Sequence, residues 1–90
     1  MSYLTILTLT VLNRCGPCKF MAPHLEVMAR DFPGATFAKI DCGEEANKQF
    51  AIAAGIKALP TFHFYREGKK VGEMTGAKAE KLRDLVMKHI

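Results

Sequence analysis

The chain has no tryptophan, and only two tyrosines, four prolines and three cysteines among its 90 residues. Three cysteines are too few, and of the wrong parity, for a small secreted scaffold stapled by disulfides. A reducing compartment, the cytoplasm, is therefore the expected setting. The N-terminal run Tyr3–Leu12 is shorter than the roughly 20 residues a membrane-spanning helix needs, and Thr5, Thr8 and Thr10 interrupt it. With no basic flank and no small-residue cleavage site, it does not read as a signal peptide, and no membrane contact is expected. Charge is not concentrated either. Thirteen Lys and Arg against nine Asp and Glu give a net +4, but the basic residues (among them Lys39, Lys48, Lys57, Lys69, Lys70, Lys78, Lys81 and Lys88) are scattered and interleaved with acids. A nucleic-acid binder would show a basic stripe with aromatics between, so no nucleic acid is expected. A mild preference for acidic partners is all that the charge supports.

What remains is an ordinary globular composition, 49% hydrophobic and 24% charged, enough for one domain (residues 1–90) with one small core. Ile6, Leu7, Leu9, Val11 and Leu12, with threonines between, predict a strand over Leu4–Leu12, near-continuously apolar as in the middle of an α/β sheet. From Pro17 to Asp31 the period changes: Met21, Leu25, Met28 and Phe32 recur on one helical face, with Pro23 expected to kink it. Pro33-Gly34 marks a turn before a second buried strand, Ala35–Asp41, carrying Phe37, Ala38 and Ile40. Glu44–Ala54 reads as a short helix closed by Gly55. Thr61–Arg66 and Lys70–Thr75, joined at Glu67-Gly68, form a hairpin. Lys78–His89 is an amphipathic helix expected to bury Leu82, Leu85, Val86 and Ile90. The order βαβαββα gives an α/β fold, one four-stranded mixed sheet with flanking helices. No linker or repeat interrupts it.

The feature with most chemistry is Cys15-Gly16-Pro17-Cys18, between the first strand and the first helix. A cysteine at a helix N-terminus meets unpaired backbone N–H groups and the positive end of the dipole, which favour its thiolate. A second thiol one turn on can attack a mixed disulfide formed at the first. The pair reads as a dithiol/disulfide switch. The third thiol, Cys42, reads either as a small inert residue or as a regulatory thiol. A structural zinc site wants four ligands, commonly as two pairs, and one pair with a stray thiol does not supply them. His24, His63 and His89 lie away from the dithiol in sequence, so a Cys-His hydrolase is unsupported. His63, between Phe62 and Phe64, reads as a satisfied sheet residue, and Met21, Met28, Met74 and Met87 read as packing.

Taken with Lys19, Pro23, Leu59-Pro60-Thr61-Phe62 and Thr75-Gly76-Ala77, the motif resembles the thioredoxin family in order and spacing from about Leu9 to Ile90. The resemblance implies a thioredoxin-like fold, with Cys15 as exposed nucleophile and Cys18 as buried resolving thiol. It implies a cis bond before Pro60, which offers the backbone of Leu59 to an extended substrate, and room beside Gly76. Arg14, Gly16, Pro17, Leu59, Pro60, Thr75 and Gly76 would then line the substrate side. The implied activity is reduction of protein disulfides without metal or organic cofactor, with a thioredoxin-reductase-type partner restoring the dithiol.

Three departures qualify this. The family's tryptophan before the motif is Arg14, a cation that would favour the Cys15 thiolate. The family's buried acid six residues before the nucleophile is Leu9, and Lys39 has lost its usual partner, so slow resolution at Cys18 is expected. The family's N-terminal strand and helix have no counterpart, which predicts a minimal form of the fold with an exposed strand edge, a monomer or weak dimer. Leu9 and Arg14 give the alternative reading of a thioredoxin-like binding module with weak redox turnover.

Overall fold

In the computed structural model, which describes residues 4–10, 15–53, 55 and 58–90, the elements follow the expected order. They are β1 (Leu4–Thr10), α1 (Gly16–Asp31), β2 (Ala35–Asp41), α2 (Lys48–Ala53), β3 (Thr61–Arg66), β4 (Lys69–Thr75) and α3 (Ala79–His89). A 3-10 turn, Glu45–Asn47, leads into α2, where the sequence predicts one helix from Glu44. Val11, Leu12, Ala54 and Arg14 lie outside the described residues, so the expected ends of β1 and α2 are not reached. Among the described residues no helix is long and apolar enough to cross a membrane.

The strands form one sheet in the order β2-β1-β3-β4. β1 and β2 are parallel (Leu9 beside Ile40), and β1 pairs antiparallel with β3 (Leu9 beside Thr61). A parallel pair needs a crossover, and α1 supplies it. The β3–β4 hairpin closes through Glu67 and Gly68 at φ 53° and 79°. Two successive residues in the left-handed region give the turn twist that matches flanking strands.

One face of the sheet carries the core. Leu4 and Ile6 of β1, Phe62 and Phe64 of β3 and Met74 of β4 meet Met21, Leu25 and Met28 of α1 and Leu82 and Val86 of α3. Full burial of each large apolar side chain contributes about 1.5–3 kcal/mol, so the two phenylalanines, both at 0% exposure, anchor β3 against both helices. Asp31 and Arg83 tie α1 to α3 at the surface, and the Arg83 guanidinium lies 5.2 Å from the Phe32 ring centroid. Pro23 lies inside α1 on its exposed side, and the helix continues through it. Water can satisfy the carbonyl that loses its partner there.

Three burial expectations are corrected. β2 is an edge strand, so Phe37, Ala38 and Ile40 are only half-buried. Ile90 and Met87, both expected to pack, are 60% and 58% exposed; Ile90 has the spacing of Leu82 and Val86, whereas Met87 lies on the opposite side of the helix. The last turn of α3 meets the sheet through His89 instead. Its ring lies 5.5 Å from that of Phe64 and directly over Gly72, where an added Cβ would come within 3.5 Å of it. The His89 ring also hydrogen-bonds through Nδ1 to the Leu85 carbonyl at 2.8 Å.

His63 faces away from that core and is 3% exposed. The Tyr65 hydroxyl stands 3.4 Å from its Nδ1, and Glu73 stands 3.7 Å from its Nε2. Burial, then Lys70, lowers its pKa, with Glu73 opposing. A depressed histidine pKa makes stability complete above the unfolded value, about 6.5, and lost as pH falls toward the folded one. His63→Leu is therefore expected to flatten the fall in Tm between neutral pH and about pH 5.5. An unchanged slope in the variant would remove His63 as its source.

Candidate active site

Cys15 caps α1 from an extended backbone, φ −118° and ψ 98°. Its carbonyl accepts the Lys19 N–H at 3.2 Å and its Sγ accepts the Cys18 N–H at 3.1 Å. The sulfur thus occupies the place usually taken by a Ser or Asp oxygen at a helix start. Pro17 follows in the first turn, where a missing N–H costs nothing, and that turn has no acidic side chain to oppose a thiolate. Cys15 and Cys18 are joined as a disulfide with Cα atoms 5.2 Å apart. Gly16 and Pro17, between them, are exposed.

The expected contrast of an exposed Cys15 over a buried Cys18 is only partly present. Cys15 is 8% and Cys18 2% exposed. In the closed disulfide the outer sulfur folds back over the first turn, where the Cys18 N–H holds it.

The Leu59–Pro60 bond is cis. Pro60 is buried and Leu59 half-buried. Thr61 donates its hydroxyl hydrogen bond to the Ala58 carbonyl, closing the loop that presents this bond. Thr61 sits beside Leu9 on one side and Thr75 on the other. Gly76 then donates its N–H to the Pro60 carbonyl at 2.9 Å. Gly76 adopts φ 94°, a conformation that an L side chain rarely takes. Leu59, Pro60, Thr75 and Gly76 are thus brought together by direct backbone pairing. They lie at the end of the sheet where β1 stops and from which α1 departs, so the dithiol lies toward the same end. Arg14 is outside the described residues.

Leu9, at 0% exposure, places hydrocarbon where the family would have a carboxylate. Lys39 is exposed and has no ion pair among the described residues. Cys42 is half-buried at the same end of the sheet, its N–H donating to the Thr10 carbonyl at 2.7 Å. Burial, then Asp41, raises its thiol above the ordinary range, with the Thr10 contact opposing. That direction disfavours the thiolate and so favours the inert reading.

Sequence reasoning missed two features. The capping role of the Cys15 sulfur was hidden because cysteine is not among the usual cap residues. Phe20, two residues past Cys18, is 56% exposed and lines a groove between α1 and α3; its break from the Met21–Leu25–Met28 stripe was the available signal.

The Thioredoxin family profile matches residues 6–88. A Thioredoxin H-type of Chlamydomonas reinhardtii is 46% identical over 76 residues, covering 83% of this chain and 66% of that protein. A Thioredoxin F-type, chloroplastic, of Spinacia oleracea is 46% identical over 72 residues, covering 80% of this chain and 37% of that protein. Among solved structures, Chlamydomonas reinhardtii thioredoxin f2 superposes with a TM-score of 0.92 at 36% identity, covering 99% of this chain and 81% of that one. Fasciola hepatica thioredoxin gives a TM-score of 0.91 at 34% identity, covering 98% and 82%. The chain spans less than two thirds of the length of these curated relatives.

Proposed function

Because the chain belongs to the thioredoxin family, we propose that it is a protein thiol–disulfide oxidoreductase, working as one domain through Cys15 and Cys18. The observation that carries this reading is the Cys15–Cys18 disulfide at the N-terminus of α1, toward the same end of the sheet as the cis Leu59–Pro60 bond. In the reduced protein the Cys15 thiolate, favoured by the helix N-terminus, attacks one sulfur of a substrate disulfide. The other substrate sulfur leaves as a thiolate and takes a proton. Cys18 then loses its proton and attacks Cys15 Sγ, which expels the second substrate thiolate and forms the Cys15–Cys18 disulfide. Two electrons pass from the dithiol to the substrate. An external dithiol donor, a thioredoxin-reductase-type partner, must return them.

The backbone of Leu59 offers an extended substrate chain a strand-like partner. Gly16, Pro17, Pro60 and Thr75 line the approach, Gly76 leaves it open, and the family resemblance adds Arg14 to this set. The partners are disulfide-containing proteins in a reducing compartment, the cytoplasm first among them, and the chain acts in electron transport and redox homeostasis there. It works as a monomer or as a weak dimer. Buried Leu9 favours one second reading: a binding module that holds partners in the same groove with weak turnover.

Insulin reduction driven by dithiothreitol separates the two. Catalytic amounts of the protein are expected to speed precipitation of the freed insulin B chain over dithiothreitol alone. No acceleration at any protein concentration would leave the binding module as the function.

A further inference from the structure

Between α1 and α3 runs an open groove outside the dithiol site. Its upper part, about 430 Å³, is bounded by Phe20 and His24 of α1 and by Ala77, Lys78, Glu80 and Lys81 at the start of α3. Its lower part, about 180 Å³, shares His24, Ala79 and Glu80 and adds Val27 and Met28. Two large apolar side chains stand open to water on the α1 wall: Phe20 is 56% and Val27 41% exposed. The Phe20 ring lies 5.1 Å from that of His24, which fixes it as a wall.

The opposite wall is cationic. Lys78 and Lys81 are exposed there against a single acid, Glu80. Lys78 is also the N-cap of α3 and provides no side-chain cap hydrogen bond. The first N–H groups of this helix therefore add their partial positive charge to the two lysines. Arg83, further along, is already engaged by Asp31.

Both walls of the groove begin close in sequence to residues of the dithiol site. Ala77 follows Gly76, whose N–H is held by the Pro60 carbonyl, and Phe20 lies two residues beyond Cys18. Along α1, His24 and Val27 stand about 12–17 Å from the start of the helix at 1.5 Å per residue. An extended chain covers that distance in about four or five residues.

We propose that this groove docks an acidic, extended segment of the substrate protein, about three to five residues from the attacked cysteine. An apolar side chain of that segment packs on Phe20 and Val27, and carboxylates on either side of it face Lys78 and Lys81. The inference rests on the oxidoreductase reading and adds to it a rule for choosing substrates. It also gives the scattered positive charge of the chain one specific use, since two lysines flank an exposed apolar wall here.

The test uses three disulfides: 2-hydroxyethyl disulfide, which has no flanks, and two cystine-linked peptides. One peptide carries Asp-Leu-Asp at three to five residues from cysteine on both sides, and the other carries Lys-Leu-Lys at the same places. At low salt the acidic peptide is expected to have a KM about tenfold lower than the basic one, and added salt narrows the gap. The double variant K78E/K81E is expected to reverse the preference, and Val27→Asp to raise KM for the acidic peptide. Neither change should alter the rate with 2-hydroxyethyl disulfide. Equal KM values for the two peptides, or a preference that survives K78E/K81E, overturns the proposal. So does a shift of the protein from dimer to monomer by Val27→Asp in sedimentation, which would give the groove to a second copy. Absence of turnover with all three disulfides would count against the oxidoreductase reading alone. Docking is then decided by calorimetric titration with the acidic peptide carrying Ser for Cys, where binding lost in K78E/K81E supports it and no binding to the unsubstituted protein overturns it.

Discussion

Cys18→Ser is expected to stop the reaction halfway, with the protein and its substrate joined by a covalent bond that mass spectrometry reads as one species. Cys15→Ser is expected to give neither adduct nor turnover. Both variants should lose about 10³-fold or more in steady-state reduction, since the remaining thiol can complete the cycle only with help from an external one. The asymmetry follows from the first turn of α1. Cys15 Sγ lies at the N-cap and accepts the Cys18 N–H, which stabilises negative charge on that sulfur. Cys18 lies inside the first turn with its side chain in the buried stripe of α1. Its natural target is the neighbouring sulfur, with Cα atoms 5.2 Å apart. A stable adduct on Cys15→Ser, with none on Cys18→Ser, would reverse the two roles. Adducts on neither would favour the binding-module reading.

Most of the fold was legible because its signals are local. The change from strand composition to a helical period at Pro17, the Glu67-Gly68 turn and the stripe Met21–Leu25–Met28 each depend on residues close in sequence, and the structure places them accordingly. Errors arose where an element outlasts its partner. Periodicity says that Leu82, Val86 and Ile90 share a helix face, but not that the sheet at the last turn is met by His89 over Gly72. Apolarity marks β2 as a strand, but its place at the sheet edge, which leaves Phe37 and Ile40 half-buried, is a matter of topology. At the site, the thiol pair and the proline were readable from their spacing and from the family resemblance. The bond between Gly76 and Pro60 joins residues far apart in sequence, and no local pattern encodes it.

Leu9 should set the speed of the second half of the cycle. It is fully buried beside Thr61 and Ile40, so the strand next to the Leu59–Pro60 loop carries hydrocarbon at the position where the family resemblance calls for an acid. Cys18 is itself 2% exposed, and burial in general disfavours a thiolate. Its proton must therefore leave to solvent, and the resolving rate is expected to rise close to tenfold per pH unit between about pH 6 and 8. Leu9→Asp supplies a buried proton acceptor. It should speed resolution at neutral pH by about 10²-fold and flatten the pH profile, the range expected of a positioned base. The substitution should also destabilise the fold by several kcal/mol, because it replaces a packed apolar side chain with a carboxyl group. Leu9→Asn separates the two effects: it carries a similar packing defect without the proton acceptor, so it should lose stability and gain no speed. If Leu9→Asp does not fold, the native chain alone decides the matter. A resolving rate that is fast and flat below about pH 7 would mean that another group takes the Cys18 proton, and Leu9 would then be a packing residue with no bearing on turnover.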